Sequence, residues 1–303
     1  MPNSLLSRFE HPYLLLSLTA LFWSGNAVAG KAAVGAVPPM AFTFLRWTGA
    51  ALILFAFAAP HLRKDWPAIR RHLPYLFLMG AIGFAAFNLL LYNAVHSTSA
   101  LNVSIEQSAM PMVIMIFGFL FFRDPFTWLQ GLGAGLSLIG VAVTVSNGDL
   151  QALMGLSVNR GDALMVLAGL VYSAYTLALR FKPELHWLSF LAVLAASAAL
   201  TCLPFFIREM MQGIMPEPSL AAAGLIVYVA IFPSILAQLF FARGVGMIGA
   251  GRAGIFINLV PLFAAVLAIL LLGEQLHLFH VVGGGLIMLG IWLGARRTRG
   301  LPR

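Results

Sequence analysis

Nothing limits what this chain can fold into more than ten apolar runs, each long enough to cross a bilayer, divided by short charged or Pro/Gly-containing breaks. They fall at about 12–34, 38–59, 73–96, 99–122, 127–146, 161–181, 187–207, 219–243, 249–272 and 276–295. A hydrocarbon core takes about 20 helical residues to span. Lipid offers the backbone no hydrogen-bonding partner, so only helices or a closed barrel can cross it. These runs are too long and too continuously apolar for barrel strands. Only 9% of the residues are charged and 61% are apolar, against roughly 25% charged in a soluble domain. That is too little charge to cover a wetted surface, and the reverse of what disorder requires. The predicted fold is an all-α integral membrane protein of ten transmembrane helices.

The first run resembles a signal peptide: Arg8, an apolar stretch from Tyr13 to Trp23, then the small residues Ala27-Val28-Ala29. Its apolar character continues past that point, and it has a counterpart in the second half of the chain. It is therefore expected to stay as helix 1. Orientation follows from basic residues. With the N-terminus in the cytoplasm, inside positions hold Arg8, Arg63, Lys64, Arg70, Arg71, Arg123, Arg180, Lys182, Arg243, Arg252 and the tail arginines. Outside positions hold Lys31, Arg160 and Arg208. The expectation is a multi-pass protein of the inner (cytoplasmic) membrane with both termini in the cytoplasm. The same bias accounts for the net charge of +8 without nucleic acid. A single cysteine, Cys202, excludes an internal disulfide.

The chain repeats itself. Trp23-Ser24 and Lys31 recur as Tyr172-Ser173 and Arg180, shifted by 149 positions. Pro111 recurs as Pro261, Asp124 as Glu274, and Gly133, Gly135 and Gly140 as Gly283, Gly285 and Gly290, shifted by 150. Each half, 1–150 and 151–303, then holds five helices. Because five is odd, the second half starts on the opposite side of the membrane. The predicted architecture is two inverted five-helix repeats, an arrangement typical of secondary transporters with a midplane site at the repeat interface.

Here the sequence resembles a known family. Gly25-Asn26-Ala27-Val28-Ala29-Gly30-Lys31 with Pro38-Pro39 and Leu45-Arg46 is similar to the opening of an EamA module of the drug/metabolite transporter superfamily. Gly161-Asp162-Ala163-Leu164 leading to Tyr172-Ser173-Ala174-Tyr175, and Pro261 leading to Leu271-Leu272-Gly273-Glu274, continue the likeness, one module per half. The resemblance implies a ten-helix inverted-repeat carrier. Its bacterial members of this length are mostly assigned to amino-acid or metabolite export, including an aromatic-amino-acid exporter branch. Others exchange phosphorylated solutes and nucleotide sugars.

Ionisable groups inside spans are functional candidates because lipid makes them costly. Arg46 in helix 2 and Glu106 in helix 4 each lie seven or eight positions from the outer end, roughly 10–12 Å deep at 1.5 Å per residue. Three readings stay open: an Arg46–Glu106 ion pair, a cavity-facing Glu106 that binds a substrate amine or a proton, and snorkelling toward the surface. Helix 4 also carries Asn102, Ser104, Gln107 and Ser108, a polar arc that runs into Pro111. Proline frees a carbonyl and allows a kink. Pro261 follows Asn258 in the same way on helix 9, so Gln107 and Asn258 are expected to line a cavity.

Trp23, Tyr172 and Tyr175 lie mid-span, where a polar tip needs a partner; Tyr92 sits nearer the outer end, where an interfacial role is the plainer one. With Asn26, Asn88 and Gln238 they suit a cavity that stacks apolar groups and hydrogen-bonds the backbone atoms of an amino acid. Gly131-x-Gly133-x-Gly135 lies in an apolar helix with no strand before it and reads as packing, not as a nucleotide loop. The histidines sit near span ends, and the sequence offers no Walker loop, catalytic triad, cofactor motif or metal-ligand cluster.

The expected function is a secondary transporter, not an enzyme, that exports amino acids or related small metabolites by alternating access. It needs no cofactor, its partners are the small-molecule substrate and the bilayer, and its oligomeric state is left open, a monomer included. The alternatives are an exchanger of phosphorylated or nucleotide-linked solutes, for which the midplane has few cations, and an intramembrane lipid-handling enzyme.

Overall fold

The computed structural model describes residues 11–295 apart from 34, 95–96, 98–99, 150, 152–153, 155–159, 217 and 273–276. Among the described residues the protein is all-helical, and the ten runs become ten helices. In chain order these are α1 (Pro12–Ala32), α2 (Pro39–Arg71), α3 (73–94), α4 (Ala100–Phe122), α5 (Trp128–Val145), α6 (Arg160–Ala178), α7 (Trp187–Met211), α8 (Leu220–Ile248), α9 (250–272) and α10 (Leu278–Ala295). Seven of them are long and apolar enough to cross a membrane on their described residues; the remaining apolar stretches, Glu106–Phe122, Ala250–Ala264 and Leu278–Gly294, belong to α4, α9 and α10. Phe57, Phe121, Trp128, Leu200 and Leu220 stand exposed on the outside of the bundle. Lipid accommodates such a surface; water does not.

The helix ends follow local chemistry. Thr127 and Gln130 form a capping box at the start of α5, with Gln130 N donating to Thr127 Oγ1 and Thr127 N to Gln130 Oε1. Ser219 accepts from Ala222 N at the start of α8. Gly249, at φ 83°, turns the chain between α8 and α9.

Two features differ from expectation. Helix 2 runs on to Arg71 instead of ending near 59, with Pro60 and Pro67 inside it. A proline removes one backbone donor without ending a helix that tertiary contacts hold. Here Asp65 Oδ2 accepts from the His186 amide at 2.9 Å, tying the extension to the start of α7. The opposite end is tied reciprocally. Glu209, near the end of α7, accepts from the amides of Ala41 at 2.7 Å and Met40 at 3.3 Å in the first turn of α2. Second, α3 and α8 each contain a π-turn, Ala81–Ala86 and Ala230–Leu236, at equivalent places in the two halves.

Packing repeats with the sequence. The most extensive helix contacts are α5 with α10 and α2 with α7; α1 packs on α8 and α9 as α6 packs on α3 and α4. Exchanging the first five helices for the second five maps this pattern onto itself. Gly133 lies against Gly290 and Gly140 against Gly283, so a Cβ at either position of α5 would strike a carbonyl of α10. Between them Ser137 Oγ donates to the Ile287 carbonyl at 3.3 Å. Ser137 and Ile287 are 150 residues apart and therefore equivalent, as are Trp23 and Tyr172, whose rings touch with centroids 5.9 Å apart. Equivalent residues meet only on the axis that relates them. All four sit near the middles of their helices, so that axis lies in the membrane plane at mid-depth, and the repeats are inverted.

Candidate functional site

The axis runs through the cluster of aromatic and polar residues at the bundle centre. From α1 come Trp23, Ser24 and Asn26; from α2, Arg46 and Trp47; from α3, Phe84, Phe87 and Asn88. The second half contributes Tyr172, Ser173 and Tyr175 on α6, Ser234, Gln238 and Phe241 on α8, and Asn258 on α9. Tyr172 is the hub. Its ring meets those of Trp23, Phe87 (5.2 Å), Tyr175 (5.6 Å) and Phe241 (5.8 Å). Tyr175 continues to Phe84 at 5.7 Å, and Phe84 stacks on Trp47 at 4.7 Å. Gly83 in the α3 π-turn lets this happen, since a Cβ there would overlap the Tyr175 ring.

Buried polar groups are nearly always hydrogen-bonded, and leaving one unmet costs about 1–3 kcal/mol. Among the described residues, this centre concentrates exceptions. The hydroxyls of Tyr172, Ser173 and Tyr175, the Trp47 indole N–H, Gln238 Oε1 and both ends of the Asn258 amide are buried without a hydrogen-bond partner. Asn258 is fully buried, at the 3-10 break of α9 just before Pro261. That break is docked on α1 by Ser24 Oγ, which donates to the Val260 carbonyl at 2.7 Å.

Arg46 is also buried, 2% exposed. Its Nε donates to Ser234 Oγ at 2.5 Å and its Nη1 to Asn26 Oδ1 at 3.0 Å, while the guanidinium lies 4.9 Å from the Trp47 ring centre. Ser234 is free to accept because its own proton goes to the Val229 carbonyl at 2.6 Å. Pro233 has no N–H to offer that helix.

The expected residues thus separate into groups. Tyr172, Tyr175, Gln238 and Asn258 are buried with unmet polar atoms, and Trp23 packs its ring on Tyr172. Asn26 is engaged by Arg46, and Asn88 donates to the Phe84 carbonyl at 2.7 Å beside the π-turn. Gln107 is half-buried on α4 and Pro111 is buried where α4 meets α9. The side chains of Tyr92, Lys31, Asn102 and Ser104, and residue Glu274, lie outside the described residues.

An Arg46–Glu106 pair is not among the contacts of the described residues. An ion pair that these residues do show is Arg180–Asp124, at one end of the bundle. The physical reason is that Arg46 turns toward α1 and α8. Glu106 on α4 is half-buried, with its Oε2 unpartnered. Sequence reading missed Trp47, Phe84, Phe87, Phe241 and Ser234. The aromatics carry no signal that separates lining from packing, but Pro233-Ser234 inside an apolar run did mark a freed carbonyl with a donor beside it.

Two inverted five-helix halves around a mid-depth axis, with a buried aromatic and polar cluster on that axis, define a membrane transporter rather than an enzyme. The chain belongs to the EamA-like transporter family, whose model matches residues 11–146 and 159–295. It is 24% identical over 285 residues to the "Uncharacterized transporter YyaM" of Bacillus subtilis, covering 92% of each chain. It is 29% identical over 296 residues to the "Probable terminal-alkyne amino-acid exporter" of Streptantibioticus cattleyicolor, covering 95% of this chain and 94% of that one. One crystal structure shares the fold with a TM-score of 0.72 at 19% identity, over 93% of this chain and 95% of the other.

Proposed function

We propose that this transporter exports amino acids or related small metabolites across the cytoplasmic membrane by alternating access. Both termini lie in the cytoplasm in this reading, and residues 1–150 and 151–303 form the two modules that rock against each other. The substrate's apolar part stacks among Trp23, Tyr172 and Phe241, and its charged backbone groups meet Asn258, Gln238 and the tyrosine hydroxyls. Tyr92, Asn26, Asn88, Gln107, Glu106 and Pro111 complete the path, and Glu106 takes the substrate amine or a proton.

The observation that carries this reading is the Asn258 amide. It is fully buried with donor and acceptor both unmet, a cost that a substrate presenting one of each would offset. An α-amino acid does so with its carboxylate and ammonium. The name of the Streptantibioticus relative points the same way. Exchange of phosphorylated solutes fits less well, because such ligands favour several cations. Arg46, the buried cation beside this centre, already donates to Ser234 and Asn26.

The test is efflux from proteoliposomes loaded with an aromatic, an aliphatic or a charged amino acid, each with and without a pH gradient. Selective efflux of the aromatic or aliphatic substrate is expected. No flux of any amino acid, with the protein folded in the bilayer, would overturn the substrate class.

A further inference from the structure

The C-terminal end of α2 is a feature that the transport site does not use. A bilayer crossing takes about 20 residues, and α2 has 33. Its last dozen residues therefore lie at or beyond headgroup level. They form a rigid element, since Asp65 accepts from the His186 amide and the His61 and His186 rings stack at 3.6 Å. The inner face, from His61 and Leu62 to Asp65, Ala68 and Ile69, is partly or fully buried. Arg63, Trp66, Pro67 and Arg70 are all exposed at i, i+3, i+4 and i+7 spacing, one helix face. Lys64 and Arg71 flank that face and are exposed too. The carboxylate in this stretch, Asp65, is turned to the α7 amide and does not neutralise the cations outside.

We propose that this exposed basic face is a binding site for the headgroup of an anionic phospholipid in the adjoining leaflet. Charge complementarity selects an anion. Lipid is favoured over a soluble anion by Trp66, an interfacial side chain that is 57% exposed here, and by Leu73, Phe77 and Leu78 just beyond, which are exposed as well. An acyl chain has apolar surface to lie on where a free phosphate has none. Two plainer roles account for part of the charge. Arg70 and Arg71 complement the helix dipole, and basic residues at this end bias insertion. Neither role asks for Arg63 and Lys64 two turns earlier, on a helix face shared with tryptophan. The site does not depend on the transported substrate or on which leaflet it is.

The test is native mass spectrometry of the full chain in detergent with phosphatidylglycerol or phosphatidylcholine of identical acyl chains. Wild type should retain the anionic lipid preferentially, and Arg63→Gln/Arg70→Gln should weaken that retention roughly fivefold per charge removed. Arg243→Gln/Arg252→Gln, which removes the same charge elsewhere, should leave it intact. Equal retention of both lipids by wild type, or equal losses in the two variants, would overturn the proposal. Displacement of the lipid by millimolar glycerol phosphate would overturn it in favour of a soluble anion. A salt series on the unaltered chain tests it independently of how the variants fold. Retention should fall as salt rises, and unchanged retention would overturn the headgroup contact.

Discussion

Ser234 links Arg46 to a proline-freed carbonyl: its Oγ accepts from Arg46 Nε at 2.5 Å and donates to the Val229 carbonyl at 2.6 Å. One hydroxyl thus settles both a buried cation on α2 and the π-turn of α8. Replacing Ser234 with Ala removes both bonds at once, and is expected to destabilise the protein by about 1–3 kcal/mol. Ser234→Thr, which keeps the hydroxyl, should lose less. Thermal unfolding in detergent reads the difference.

Asn258→Leu separates binding from folding. The amide gains nothing from its own protein, so a similar-sized apolar side chain should leave stability unchanged or raise it by about 1–3 kcal/mol. Efflux of the amino acid should nevertheless fall to background. A variant that loses stability and transport together would mark Asn258 as structural.

The caps exchanged by α2 and α7 predict an additive pair. Glu209→Ala and Asp65→Ala each remove an acceptor from a helix start, worth about 1 kcal/mol apiece. They act at opposite ends of the two helices, so the double variant should lose the sum of the singles. Melting midpoints of the two singles and the double check this.

His186 gives a pH dependence. Burial first, then the neighbouring His61 and Lys64, hold its imidazole below the ordinary value of 6.5, with Asp65 opposing. The folded protein thus favours the neutral ring, whose Nδ1 accepts from the Leu188 amide at 3.3 Å. This contribution is complete above pH 6.5 and declines as pH falls below it, because the unfolded chain takes up its proton first. His186→Asn keeps a capping acceptor and does not titrate. Wild type should therefore lose stability relative to this variant as pH falls below about 6.5; parallel melting curves would dismiss the effect.

At the α5–α10 seam, Gly140→Ala places a methyl against the Gly283 carbonyl. Overpacking of this kind costs about 1–3 kcal/mol. The loss should appear in the melting temperature, while flux per folded molecule stays near wild type.

Much of this molecule is legible in its sequence because lipid enforces one rule on every span. Ten apolar runs name ten helices, and repeats shifted by 149 or 150 residues bring Trp23 to Tyr172 and Ser137 to Ile287. The continuation of α2 past Pro60 was not legible, since a basic, proline-bearing stretch reads as a loop until α7 is seen to hold it. Nor was the fate of Arg46. Depth in the membrane matched it to Glu106, but depth says nothing of direction around the bundle, and its acceptor Ser234 lies 188 positions away. The aromatic hub was half legible: Tyr172 and Trp23 announce polar tips, whereas Phe84, Phe87 and Phe241 look like any packing residue.

The two π-turns let each half carry one residue more than its helix needs. Each residue of an α-helix turns the chain by about 100°, and a π-turn carries one residue beyond the α-helical count. Asn88 and Gln238, both buried, come just after these turns. Deleting a single residue from Ala81–Ala86 or from Ala230–Leu236 would take out that extra residue and close the wide turn to an ordinary one, so the helix downstream would keep its facing. Deletion in a plain α-helical stretch has no spare residue to absorb it and would turn one flank against the other by about 100°, while leaving composition and hydropathy almost untouched. Each half of this transporter thus holds its central amide in aim beside one spare residue, a tolerance for loss that a plain α-helix lacks.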